Sequence, residues 1–162
     1  SKFGIFAARR ADNCPVHRSD IPGHVTASAM IANNAMDRYL LLFHKGLSKW
    51  LQPGGHIEPT DSTFLEAAIR EVAEETGFVA GDYDILCTES GLTVIGFDSH
   101  SIPENPAKAE QEHYHHDIKF IFRLKPGTGQ VKTNVSESEM WGWFLEEEFP
   151  DYFNPTDIFS KI

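Results

Sequence analysis

Cysteine is scarce in this chain, at two of 162 residues, Cys14 and Cys87. The pair forms neither a CxxC motif nor a zinc-ligand spacing. That favours two thiols in a reducing compartment over a disulfide framework, and with it a cytoplasmic location. Long apolar runs are also missing. No window of about 18 consecutive apolar residues occurs, so no membrane-spanning helix is expected. The opening stretch Ser1–Arg10 is apolar only briefly and does not read as a signal peptide. Basic residues are few: 14 Lys and Arg stand against 24 Asp and Glu, a formal net charge of −10. A nucleic-acid polymer asks for a basic face, so that class of partner is not expected. A small phosphorylated ligand stays compatible, because a divalent cation inverts the local field. Internal repeats and low-complexity stretches are absent as well.

What is present suits one domain over residues 1–162, as a monomer or homodimer, with residues 1–20 as an irregular lead-in. Hydrophobic residues make up 41% of the chain, enough for a packed core. His24–Ala32 reads as a strand and Arg38–His44 as a second, with Asn33-Asn34 turning between them. A short strand at Trp50–Gln52 runs into Pro53-Gly54-Gly55. Further strands are expected at Tyr83–Glu89, Leu92–Asp98, His116–Leu124 and Met140–Phe144, and a short helix at Pro155–Ile162. The fold class is α+β: a mixed sheet with helices packed outside it.

The strongest helix is predicted over Thr63–Thr76. Thr63 with Glu66 fits a capping box, Gly77 fits a left-handed C-terminal stop, and Leu65, Ile69 and Val72 form one apolar stripe. Glu71, Glu74 and Glu75 fall at i, i+3 and i+4 on another side of the helix, so their side chains are neighbours. Arg70 is the helix's single basic residue. Like charges this close weaken an isolated helix, and one guanidinium does not neutralise three carboxylates. A solvated acidic face is one reading; a site for a hard divalent cation with oxygen ligands is the other. Directly upstream, Gly54-Gly55 allows close backbone approach and offers a carbonyl to a metal or amides to a phosphate.

Together, Gly-Gly-His-Ile-Glu-Pro at 54–59 and Arg-Glu-Val-Ala-Glu-Glu-Thr-Gly-Phe at 70–78 resemble the signature box of the Nudix hydrolases. The resemblance implies an α/β/α sandwich: a mixed sheet between helices. It implies a pyrophosphohydrolase that uses Mg²⁺, with Mn²⁺ as the alternative, on a nucleoside diphosphate linked to another group. Glu71 and Glu75 inherit the metal-ligand role, Glu74 completes the shell or orients water, and the Gly55 carbonyl adds a ligand. Arg70 supports the loop. The general base is a box glutamate or a later acid, Glu137 or Glu139. Two departures stand out. Asp61 occupies a position where the family has Glu, and eight residues rather than seven separate it from Arg70. The supporting pair between Asp61 and Arg70 is what these departures touch.

A second feature is His113-Tyr114-His115-His116-Asp117. On a strand, His113, His115 and Asp117 share one face. With His56 inside the box, they are candidates for contact with phosphate or a second metal; polar strand ends are the plain alternative. The stretch Glu89–Phe97 lacks the proline and the tyrosine that mark the ADP-ribose and dinucleoside-polyphosphate members. A (deoxy)nucleoside triphosphate or related nucleotide is therefore the expected substrate. Two other readings are a non-catalytic nucleotide-binding domain of the same fold, and an isopentenyl-diphosphate isomerase, which needs a cysteine at the pocket.

Overall fold

The computed structural model describes residues 14–106, 109–133 and 138–153, and for residues 138 and 139 the backbone alone. Its centre is two long strands in parallel, β1 (Gly23–Ala32) and β7 (His113–Leu124), in register from Gly23 opposite Tyr114 to Ala32 opposite Arg123. The other edge of β1 is shared. β4 (Gly54–His56) pairs with its first half and β2 (Tyr39–His44) with its end, both antiparallel. β3 (Lys49–Leu51) and β8 (Ser138–Phe144) flank β2; β5 (Tyr83–Ile85) and β6 (Gly96–Ile102) flank β7. Among the described residues the result is one mixed sheet of eight strands.

Alternation along β1 and β7 builds two cores. Ala27, Ala29 and Ile31 point with Ile118, Phe120 and Phe122 toward α1 (Phe64–Thr76), whose Phe64, Leu65, Ala67, Ala68 and Val72 complete that cluster. Met30, Ala32 and Ile121 point the other way, against Tyr39 and Leu41, with Phe149 and Phe153 packed on them. The fold is thus α+β, with one α-helix among the described residues and a 3₁₀ turn at Glu146–Glu148 beyond β8. The helix expected at Pro155–Ile162 lies outside the described residues.

The helix ends follow their sequence signals. The Glu66 amide donates to Thr63 Oγ1 at 3.0 Å, and Gly77 stops the helix at φ 75°, its amide donating to the Ala73 carbonyl. The Glu66 carboxylate accepts from the Ser62 amide rather than from Thr63, one residue earlier than a capping box requires. Thr63→Ala removes the cap acceptor and is expected to cost about 1 kcal/mol, read as a lower urea midpoint at unchanged slope.

Several expected boundaries move. β7 begins at His113, not His116, because its parallel partner β1 extends the ladder to Gly23; the histidines lie in the strand rather than ahead of it. The segment expected as a strand over Tyr83–Glu89 pairs only to Ile85, and that expected over Leu92–Asp98 forms as Gly96–Ile102, opposite the start of β7. Gly54-Gly55-His56, where the sequence points only to close backbone approach, is a strand. A Cβ on Gly54 would press into Ser28 and the Ala27 carbonyl, so glycine is what lets β4 lie flat on β1.

Candidate active site

The glutamates of α1 are set by β4. In the register of β4 on β1, Gly55 lies opposite Ala27, on the helix side of the sheet. A Cβ there would fall 2.6 Å from Glu71 Oε1 and 2.7 Å from its Cδ, so the Glu71 carboxylate is seated against the Gly55 backbone. Glu75 Oε2 accepts the Gly54 amide at 2.9 Å, and Glu75 is only 9% exposed. Two successive glycines therefore hold two glutamates one helical turn apart. Glu74, 56% exposed, projects outward, and Arg70 reaches it at 3.4 Å.

Arg70 ties the loop to the helix. Its guanidinium donates from Nε and Nη2 to the two oxygens of Asp61 at 3.2 and 2.9 Å, from Nη2 to the His56 carbonyl at 2.8 Å, and from Nη1 to Glu71 at 2.9 Å. Asp61 is buried and also accepts the Glu58 amide at 2.8 Å. The forked pairing raises the Arg70 pKa further, the hydrogen bond to Asp61 foremost. The supporting pair forms with the shorter acid.

The opposite face of the sheet is polar where the first face is apolar. His24, Thr26 and Ser28 of β1 lie beside His115, Asp117 and Lys119 of β7, with His56 of β4 opposite Thr26 and His100 of β6 opposite His115. His24 is fully buried and stacks on His113, with ring centroids 4.9 Å apart; its rings-to-centre distances to His56 and His115 are 5.0 and 4.8 Å. Burial lowers the pKa of His24, against a smaller opposing pull from the Asp20 backbone. Burial, then the neighbouring histidines, lowers that of His115 to about 3.

Asp117 is buried further along the same face. It accepts Thr26 Oγ1 at 3.0 Å and Ser28 Oγ, with Gln52 Nε2 at 3.3 Å. Desolvation raises its pKa although these hydrogen bonds oppose the rise. So His56, His113 and His115 come together, while Asp117 shares their face but belongs to a neighbouring hydroxyl network. Glu139 is described only by its backbone in β8, and Glu137 lies outside the described residues.

The sequence marks His24 only as a strand-edge histidine and does not single out Thr26, Ser28 and Gln52. The signal for the first three was present. Polar residues at 24, 26 and 28 alternate with Val25, Ala27 and Ala29, the period of a strand with one polar face. Cys87 is exposed beyond β5, and Cys14 packs against the helix-side core. No described helix is long and apolar enough to cross a membrane.

Gly55→Ala tests the seating of Glu71. The added methyl needs the space of the carboxylate, which must shift by about 1 Å, and a displacement of that size costs on the order of 10²-fold in rate. We expect activity to fall by about that factor, with a far smaller change in thermal midpoint.

A family model described as NUDIX domain matches residues 22–159. A Lactococcus lactis protein named "Probable DHNTP pyrophosphohydrolase" is 30% identical over 137 residues, 83% of this chain and 74% of that protein. The asymmetrical bis(5'-nucleosyl)-tetraphosphatase of Sus scrofa is 39% identical over 56 residues, 35% of this chain and 37% of that protein. Among solved structures, an Ap4A hydrolase of C. elegans superposes with a TM-score of 0.57 at 21% identity, over 76% of this chain and 80% of that one. A MutT protein of Methanosarcina mazei superposes with a TM-score of 0.54 at 26% identity, over 82% of this chain and 88% of that one.

Proposed function

Since the chain belongs to the Nudix family of pyrophosphohydrolases, we propose that it hydrolyses a pyrophosphate bond of a (deoxy)nucleoside triphosphate or related nucleotide, with Mg²⁺ held by Glu71 and Glu75. The observation that carries this reading is the seating of Glu71 on Gly55 together with the bond from the Gly54 amide to Glu75.

The donor set fits a hard divalent cation. Arg70 carries one positive charge and touches three carboxylates, those of Asp61, Glu71 and Glu74. Carboxylates gathered around one guanidinium and a glycine backbone offer the oxygen ligands that Mg²⁺ prefers. Bound there, the ion supplies charge neutralisation for phosphate oxygens and a more acidic water. Asp61, through Arg70, keeps the His56–Asp61 loop against the helix and fixes the rotamer of Glu71. The Gly54 amide orients Glu75. In this reading Glu74, more exposed than either, accepts a proton from water, with Glu137 and Glu139 as the alternative bases.

The test is a screen of nucleoside triphosphates, deoxynucleoside triphosphates and nucleoside diphosphates linked to a second group, with Mg²⁺ or Mn²⁺. Release of phosphate is read against release of pyrophosphate. Metal-dependent turnover of a triphosphate is the expected result. Nucleotide binding without turnover in either metal would support the non-catalytic reading instead.

A further inference from the structure

We propose that His24, His56 and His115 form a second metal centre, distinct from the glutamates, that takes a divalent transition ion of the Zn²⁺ class through three imidazole nitrogens.

The three residues come from three neighbouring strands, β1, β4 and β7. In the register, His24 lies beside His115 and His56 lies opposite Thr26, so all three stand on the sheet face away from α1. Each offers one ring nitrogen, and these nitrogens lie within 4.8 Å of one another. Zinc binds imidazole nitrogen at about 2.0–2.1 Å, which sets tetrahedral ligand nitrogens roughly 3.3 Å apart. Closing the difference takes small ring rotations on a rigid sheet.

His24 is the second, independent observation. It is fully buried, and among the described residues neither of its ring nitrogens has a well-formed hydrogen bond; the Asp20 backbone exerts a pull smaller than the cost of burial. A buried polar atom without a partner is costly, by about 1–3 kcal/mol, and rare enough to need a cause. A metal ion supplies one by taking a ring lone pair. The ring lies within 5.0 Å, centre to centre, of His56, His113 and His115, so it is aimed into the cluster.

His113 plays an outer part. Its Nδ1 lies 2.7 Å from the Gln111 carbonyl, and a carbonyl only accepts, so Nδ1 carries the proton. His113 Nε2 then faces His115 Nε2 at 3.2 Å as a lone pair, and His115 donates to it. A carbonyl, a histidine and a second histidine in series fix the tautomer of the last, as the groups behind metal-ligating histidines do. Nitrogen donors also separate the two centres by ion. Imidazole suits zinc, copper, iron and nickel, whereas carboxylate and carbonyl suit magnesium. Along β4 the centres are adjacent: Gly55 backs Glu71, and His56 enters the histidine set.

The experiment uses the untagged full chain, stripped of metal with chelator and then given excess Mg²⁺ to satisfy the glutamates. Titration with ZnCl₂ is expected to show one equivalent bound with sub-micromolar affinity. Co²⁺ is expected to give the intense visible bands of a low-coordinate nitrogen site. X-ray absorption of the Zn²⁺-loaded wild-type chain should show three imidazoles, a readout that needs no variant. His115→Gln should weaken Zn²⁺ binding at least 100-fold, and Glu75→Gln should change it less than threefold. An all-oxygen shell in the wild type overturns the proposal, as does Zn²⁺ binding weaker than 10-fold above that of Mg²⁺. Loss of the Zn²⁺ site in Glu75→Gln would place the ion at the glutamates and overturn it too. Failure of the hydrolase reading moves none of these signals.

Discussion

Glu75→Gln is expected to lower kcat by about 10³-fold at saturating Mg²⁺, with the fold intact. The substitution keeps the side chain's shape and its carbonyl oxygen, so the Gly54 amide, now bonded to Glu75 Oε2 at 2.9 Å, keeps an acceptor. What disappears is one negative charge in a largely buried position. Removing a single group that stabilises developing charge typically costs 10²–10³-fold, about 2.7–4 kcal/mol. Loss of a proposed metal ligand belongs at the upper end. Apparent Mg²⁺ affinity should weaken alongside kcat, while the urea midpoint moves little. Full activity in Glu75→Gln would remove the glutamates from the chemistry. Glu71→Gln is a less clean version, because it also breaks the 2.9 Å ion pair with Arg70 and so mixes positioning with charge. Glu74→Gln discriminates a third role. Its carboxylate is mostly exposed and weakly held, so a drop as large as that of Glu75→Gln would assign it a direct part in proton transfer.

Much of this site was legible before the fold. The helix limits, the neighbouring glutamates and the two glycines follow from local rules: a cap at Thr63, a left-handed stop at Gly77, a 3.6-residue period between. Such rules act over a few residues, which is the range a sequence displays directly. The histidine cluster was only half legible. His113, His115 and Asp117 announced a shared face by their spacing. His24 and His56 joined them only because β1 runs parallel to β7 and antiparallel to β4, and parallel partners are distant in sequence, here by about 90 residues. The short β4 was hidden for a related reason. Two glycines in sequence suggest a turn, and only the close approach to Ser28 and Ala27 reveals that they are flat against a neighbour. The strands at Tyr83–Ile85 and Gly96–Ile102 were misplaced because their limits are set by which stretch of β7 is left to pair, not by their own residues.

Arg70→Ala carries the second large effect, and it falls on stability as well as rate. The guanidinium is one-fifth exposed and Asp61 less than a tenth, so removing the arginine strands a mostly buried carboxylate. Breaking a buried pair from one side costs about 3–5 kcal/mol; with Arg70 partly solvated, about 3 kcal/mol is expected, read from urea unfolding. The His56 carbonyl and Glu71 lose the same donor, so the residual folded enzyme should also turn over at least 10²-fold more slowly. Arg70→Lys should recover little, because one ammonium does not span both oxygens of Asp61 and the His56 carbonyl. The informative partner is Asp61→Glu, which restores the residue the family places there. If the extra residue between Asp61 and Arg70 already supplies the missing reach, the longer side chain has no space in a buried site and destabilises by about 1–3 kcal/mol. A gain in stability from Asp61→Glu would mean that the insertion and the aspartate are independent. The two-point contact of Asp61 with Arg70, made in full with the shorter acid, argues that they are one adjustment.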